Sequence, residues 1–137
     1  MQNFFLLFYL IIISLYDIKY LKIEDSFLTG LFITTSGVVI ADNNLFIRNF
    51  FVAVLFFLVF FLIYSFTDGL GFGDVKLISL IAYSSGFWNT CIISIVACIV
   101  GLIFFLIRFI QKKYILKIPF APFLTAGTLI AFIKEVM

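Results

Sequence analysis

The 137-residue chain has no histidine, only two cysteines and little charge, and each shortage excludes a class of protein. Cys91 and Cys98 lie seven residues apart in one apolar run and form no C-x-x-C pair, so the sequence predicts no metal site. Seven helical residues rise about 10 Å, which is beyond disulfide reach, and both thiols are predicted to be buried hydrophobes. A net charge of +2 gives no basis for a nucleic-acid partner.

Charged residues make up 12% of the chain and hydrophobic residues 65%, whereas a soluble domain of this size carries about twice that charge. The N-terminal apolar run, residues 4–15, has no basic residue before it and no small-residue cleavage site after it. It is therefore predicted to be a membrane helix rather than a signal peptide. The composition predicts an all-α polytopic protein of the lipid bilayer, with a single domain over residues 1–137.

Polar breaks divide the apolar sequence into six predicted transmembrane helices. Residues 42–44 and 84–86 are predicted turns, and Pro119 suits the first turn of the last helix. Only the third and fifth helices reach the ~20 residues that a span needs, so the shorter ones imply local thinning of the bilayer. The six predicted helices are Asn3–Tyr16, Ser26–Ala41, Ile47–Phe66, Val75–Ser84, Trp88–Phe109 and Pro119–Val136.

The basic residues predict the orientation of these helices, because cytoplasmic loops carry an excess of lysine and arginine. Seven of them lie at the odd-numbered loops and helix ends, and two lie on the other side. The sequence therefore predicts cytoplasmic odd-numbered loops and both termini outside. The seven are Lys19, Lys22, Lys76, Arg108, Lys112, Lys113 and Lys117, and the two are Arg48 and Lys134.

Two aspartates share the predicted cytoplasmic side. Asp17 immediately follows the first predicted helix and Asp74 immediately precedes the fourth. Counted from Asn3 and from Gly86 at the outer interface, the helices rise about 21 Å and 18 Å to these acids. A hydrocarbon core is ~30 Å thick, so both carboxylates are predicted to lie inside the cytoplasmic boundary. Ionisable groups at such a depth are functional candidates.

Two carboxylates in one site of low dielectric cannot both ionise easily, so they hold one proton between them. One acid then acts as a general base on water while its protonated partner polarises a peptide carbonyl. Gly71 and Gly73 flank Phe72 and would let the backbone approach a substrate strand. We therefore interpret Asp17 and Asp74 as a candidate catalytic pair, whose chemistry requires no metal and no cofactor.

Structural explanations of the same residues remain open at this stage. A G-x-G-D tetrapeptide is common, and Asp74 is also suited to capping a helix that begins at Val75. Asp17 is equally suited to the membrane interface, where Lys19 and Lys22 would balance its charge. The residues alone do not choose between capping and catalysis.

Three segments together resemble the type IV prepilin peptidase family, which comprises membrane aspartyl proteases of the GxGD type. Residues 71–77 (GFGDVKL) resemble the family's G-x-G-D-x-K-L signature. Residues 17–19 (DIK), followed by Ile23, resemble its first aspartate segment. Residues 118–124 (IPFAPFL), followed by Gly127, are similar to its I-P-F-x-P-x-L segment.

The resemblance implies cleavage of leader peptides from prepilin-like precursors at the cytoplasmic face of a bacterial inner or archaeal cell membrane, as in type IV pilus assembly and protein secretion. Asp17 and Asp74 match the family's two catalytic aspartates. The N-terminal cytoplasmic segment associated with methyl transfer in larger members is absent, so peptidase activity alone is expected. Glu24 and Asp25 stand where the family usually has Pro-Asn, which leaves the shape of the first loop open.

The remaining polar residues have two interpretations each. In the first interpretation, Lys76 lies near the substrate and either favours the ionised form of Asp74 or contacts a substrate carbonyl. In the second, its side chain only extends to the membrane interface. Glu24, Asp25 and Asp68 are predicted to be solvated loop acids, with pairing to a basic leader peptide as the alternative. The alternative functions are a presenilin-like intramembrane protease and a non-catalytic membrane scaffold or transporter subunit. The particular substrate and the oligomeric state stay open.

Overall fold

The computed structural model of the protein describes residues 2–40, 43–67, 69–112 and 118–137, and these ranges contain α-helices and no strand. The helical class predicted from the sequence is confirmed. The helices are α1 (Gln2–Tyr20), α2 (Asp25–Val39), α3 (Asn43–Phe66), α4 (Phe72–Ile110) and α5 (Ala121–Val136). Predicted features at Ala41, Asp42, Asp68, Lys113 and Lys117 fall outside the described ranges.

Six transmembrane helices are not observed. The described chain has five helices, and two of them, at Asn44–Phe66 and Phe72–Ile110, are long and apolar enough to cross a membrane. Helix α2 is apolar but shorter. Phe51, Leu58 and Leu62 of α3 are each more than half exposed, so this helix is apolar on its outer face as well. Such a surface is typical of a helix that lies against lipid.

The number of helices differs because the fourth and fifth predicted helices are joined in α4. The predicted turn at residues 84–86 is a kink within this helix, and the backbone leaves helical geometry only at Gly86, with φ 76° and ψ 178°. Only glycine adopts this conformation without strain. Asn49 of α3 donates its Nδ2 to the Tyr83 carbonyl at 2.9 Å, and Thr90 donates its hydroxyl to the Gly86 carbonyl at 2.7 Å. These bonds satisfy carbonyls beside the kink.

The kink reverses the direction of α4. In a straight helix, Phe104 would lie about 48 Å from Phe72 at 1.5 Å per residue. Instead, the Phe104 ring lies 5.6 Å from the ring of Phe123, in the first turn of α5. The start of α5 contacts Asp17, which lines one cavity together with Phe72. The second arm of α4 therefore returns to the end of the bundle at which the first arm begins.

Helix α4 is the centre of the bundle, because it packs against each of the other four helices. Its residues Leu77, Ile78, Ile81 and Ile93 are almost completely buried. Helix α5 approaches the second arm most closely at Gly127, where a Cβ atom would lie 2.6 Å from the Ile93 carbonyl oxygen. Asp17, in the last turn of α1, bonds to Ala121 at the start of α5 and lines one cavity with Phe72 at the start of α4, so the end of α1 lies beside the beginnings of both helices.

Candidate active site

A cavity of about 280 Å³ lies at the end of the bundle where α1 ends and where α2 and α4 begin. The link between α1 and α2 forms one wall, and the start of α4 forms the other. All five residues singled out from the sequence line it, which are Asp17, Gly71, Gly73, Asp74 and Lys76. Leu21, Lys22, Ile23, Asp25 and Phe72 complete the lining.

Asp17 reaches the cavity from the last turn of α1 and is 5% exposed. Its Oδ2 accepts a hydrogen bond of 3.2 Å from the backbone N–H of Ala121, 104 residues later. Ala121 is the first residue of α5, and the residue before it, Phe120, gives this helix no side-chain cap. The carboxylate of one helix thus caps another, at the end where the helix dipole favours negative charge. Asp17 is therefore held by protein contacts rather than by interfacial lysines.

Asp74 is the third residue of α4, which begins at Phe72, three residues before the predicted start at Val75. The Asp74 Oδ2 accepts a 3.2 Å hydrogen bond from the Gly71 N–H, and the Asp74 N–H donates to the Gly71 carbonyl at 3.1 Å. The capping contact considered from the sequence is thus present in the structure. It does not remove the carboxylate from the cavity, which Asp74 lines together with Asp17. Capping and catalysis are compatible at this residue.

Each glycine of the GxGD segment has a close neighbour within the protein. A Cβ atom on Gly71 would lie 3.0 Å from the Asp74 Oδ2, and one on Gly73 would lie 3.0 Å from the Ile23 Cβ. The sequence suggested that these glycines admit a substrate strand. In the structure, Gly71 leaves space for the Asp74 carboxylate, and Gly73 leaves space for Ile23 in the link between α1 and α2.

Lys76 forms an ion pair with Asp25, the first residue of α2, at 2.8 Å. Its ammonium group also lies 4.9 Å from the centroid of the Phe72 ring. The side chains of Lys76 and Asp25 are 36% and 74% exposed, so the pair lies at the mouth of the cavity. Neither interpretation of Lys76 from the sequence predicted this ion pair with Asp25.

Two contacts of the link between α1 and α2 were not predicted from the sequence. Asp25 is paired with Lys76 rather than free in solvent, and the Glu24 Oε1 accepts a 2.6 Å hydrogen bond from the Tyr16 hydroxyl. No local signal in the sequence could have revealed the first contact, because its partners are 51 residues apart. The amide of Ala121 was also missed, although the prolines around it did predict a helix start nearby.

Among the described residues, no group of three or more histidine, cysteine, aspartate or glutamate side chains could hold a metal ion. A search of curated proteins and a search of solved structures each gave no match. The model of the type IV leader peptidase family matches residues 4–106, which include Asp17 and Asp74 and end before α5. Because this match covers most of the sequence, the chain belongs to the type IV leader peptidase family.

Proposed function

We propose that this protein is an aspartyl endopeptidase that removes the leader peptide from prepilin-like precursors, with Asp17 and Asp74 as its catalytic pair. The observation that carries the proposal is the common cavity of these two acids, which are 57 residues apart in the chain. Both carboxylates also accept a backbone N–H through Oδ2, so both are oriented before any substrate binds. Fixed orientation of the reacting groups is a large part of what an active site contributes.

The chemistry requires room for water and for a peptide group between the two acids. A cavity needs only about 10–15 Å³ to hold one water molecule, and this one measures about 280 Å³. One carboxylate takes a proton from the water as it attacks the scissile carbonyl carbon. The protonated partner donates a hydrogen bond to the carbonyl oxygen, and its proton passes to the leaving amine as the C–N bond breaks. Lys76, at the cavity mouth, is placed to contact the substrate backbone.

We further propose that the single domain over residues 1–137 crosses the membrane six times, as α1, α2, α3, the two arms of α4, and α5. The reversal at Gly86 supports six crossings, because it divides α4 into two arms of 14 and 24 residues. Both termini then lie outside, and the cavity opens to the cytoplasm of a bacterial or archaeal cell. Helices α2 and α5, with 15 and 16 residues, imply a locally thinned bilayer.

Asparagine substitutions separate catalysis from capping. In Asp74→Asn, the side-chain oxygen can still accept the Gly71 N–H, but the group no longer transfers a proton. We expect Asp17→Asn and Asp74→Asn each to lower cleavage at least ~10²-fold, and the double variant to be little worse, because members of a catalytic unit are not additive. Glutamate at either position should fail as well, since the carboxyl moves by ~1 Å.

The assay is cleavage of a prepilin-like precursor of the same genome in membranes, with the level of each variant measured alongside. Glu24→Gln is the matched control, because it neutralises a carboxylate of the first link that does not line the cavity. A specific observation favours the non-catalytic scaffold as the second candidate, namely the capping bond of Asp74 to Gly71. If Asp74→Asn processes the precursor normally at a normal protein level, the peptidase proposal is refuted and the scaffold becomes the favoured function.

Labelling of single cysteines from the two sides of the membrane tests the topology. In a background with Cys91 and Cys98 replaced by serine, a cysteine at residue 2 should react with an impermeant reagent added outside. A cysteine at Lys22, which lines the cavity, should react only from the cytoplasmic side. The opposite pattern would put the cavity on the wrong side for a cytoplasmic leader peptide and would refute the proposed orientation.

A further inference from the structure

The first turn of α5 has one backbone amide that its own helix does not use. A helix leaves its first N–H groups without partners inside the helix. Pro122 has no N–H, and the N–H of Phe123 donates to the Phe120 carbonyl at 3.0 Å. The N–H of Ala121 instead donates to the Asp17 Oδ2 at 3.2 Å. The start of α5 is therefore directed at one of the two acids of the cavity.

The contact between Ala121 and Asp17 is shielded from solvent. Ala121 is fully buried and Asp17 is 5% exposed. A hydrogen bond to an ionised group is roughly twice as strong as one between neutral groups, and a site of low dielectric strengthens it further. Because the donor is a backbone amide in a helix, it has no rotamer freedom of its own. The direction of the Asp17 carboxylate thus depends on where α5 begins.

Two close contacts with the second arm of α4 fix the position of α5. A Cβ atom on Gly127 would lie 2.6 Å from the Ile93 carbonyl oxygen, and one on Gly101 would lie 3.3 Å from the Phe123 ring. The second of these contacts is in the first turn of α5, two residues from Ala121. A displacement of this turn by a few tenths of an ångström would be passed to Asp17 through the hydrogen bond.

We infer that the first turn of α5 positions Asp17 for the cleavage reaction, with the Ala121 amide as the positioning group. The inference rests on the proposed peptidase function and extends it, because it adds a positioning group from α5, beyond residues 4–106 that the family model matches. The alternative is a purely structural role, in which Asp17 only caps the N-terminus of α5.

An amide-to-ester substitution removes the hydrogen of one backbone amide and weakens the preceding carbonyl as a hydrogen-bond acceptor. Lactic acid incorporated in place of Ala121 deletes the N–H that contacts Asp17. Phenyllactic acid in place of Phe123 is the matched control, because it deletes an N–H of the same turn that donates to the Phe120 carbonyl. In both variants the bond from the Phe123 N–H to the Phe120 carbonyl is weakened or lost, and only the first variant also loses the bond to the Asp17 carboxylate.

We expect the Ala121 ester to lower kcat about 10–100-fold with little change in KM, because a misplacement near 1 Å costs up to about 10²-fold. The Phe123 ester disturbs the same turn but keeps the bond to the carboxylate, so its kcat should stay clearly above that of the Ala121 ester. The substrate is a peptide that spans the cleavage site of a prepilin-like precursor, and thermal unfolding in detergent checks each variant. Equal losses of kcat in the two esters, or a folded Ala121 ester that retains its kcat, would overturn the inference.

Gly101→Ala provides a second route if the Ala121 ester does not fold. Its added methyl presses on the Phe123 ring without touching Asp17 or Ala121, so kcat should fall while KM and the unfolding temperature stay close to those of the unmodified protein. An unchanged kcat in this variant would count against positioning by α5. The outcome is separate from that of the proposed function, since full activity of Asp17→Asn would refute the peptidase proposal itself, whatever either ester does.

Discussion

Replacing Gly86 by alanine tests whether the reversal of α4 depends on one glycine. The added methyl group has space, because the nearest atom outside the chain neighbours would be the Asn49 Oδ1 at 3.7 Å. The penalty must therefore come from the backbone. At φ 76° and ψ 178°, a residue with a Cβ atom is strained by about 1–3 kcal/mol.

This strain cannot be relieved by straightening the helix, because α4 would then lose its contact between Phe104 and Phe123. Alanine also restricts the unfolded chain, which returns about 0.4–1 kcal/mol to the folded state. We therefore expect Gly86→Ala to lower the free energy of unfolding by about 1–2 kcal/mol. Gly37→Ala is the matched control, since Gly37 lies within α2 with no atom near its missing Cβ. Alanine there should stabilise the helix by up to about 1 kcal/mol.

The measurement is equilibrium unfolding of the purified protein in mixed micelles, followed by circular dichroism. The two substitutions add the same atoms, so their difference in sign isolates the backbone conformation at the kink. If Gly86→Ala stabilises the protein as much as Gly37→Ala does, then residue 86 is helical and α4 does not reverse there.

Two further predictions concern packing and charge. Gly127→Ala should destabilise the protein by about 1–3 kcal/mol in the same unfolding assay, because the new methyl would lie 2.6 Å from the Ile93 carbonyl oxygen. An unchanged stability would mean that α5 does not approach α4 this closely. For the pair of Lys76 and Asp25, a double-mutant cycle of Lys76→Gln and Asp25→Asn should give a coupling of about 0.2–1 kcal/mol that weakens with salt, since both side chains are partly solvated. A coupling of several kcal/mol would contradict the exposed position of this pair.

The sequence by itself determined that the chain is helical, and it singled out Asp17 and Asp74 as a candidate pair. In lipid, the backbone of a long apolar run has no water to hydrogen-bond with, and a helix satisfies its N–H and C=O groups within the same segment. Residues 84–86 signalled a change of direction, although they bend one helix instead of separating two. The common location of Asp17 and Asp74 was predicted from the order of the helices and from the resemblance, and both residues line one cavity.

The tertiary structure alone decided what surrounds these acids. Helix propensity and capping depend on residues within about four positions along the chain, so they carry no information on partners in other helices. The bond from Ala121 to Asp17 spans 104 residues, and the pair of Lys76 and Asp25 spans 51. Both follow from how closely the helices pack, which is set by side-chain volumes at crossings such as Gly127 against the backbone of α4. Those volumes act only when distant segments meet, so the geometry that orients the candidate pair is a property of the packed bundle.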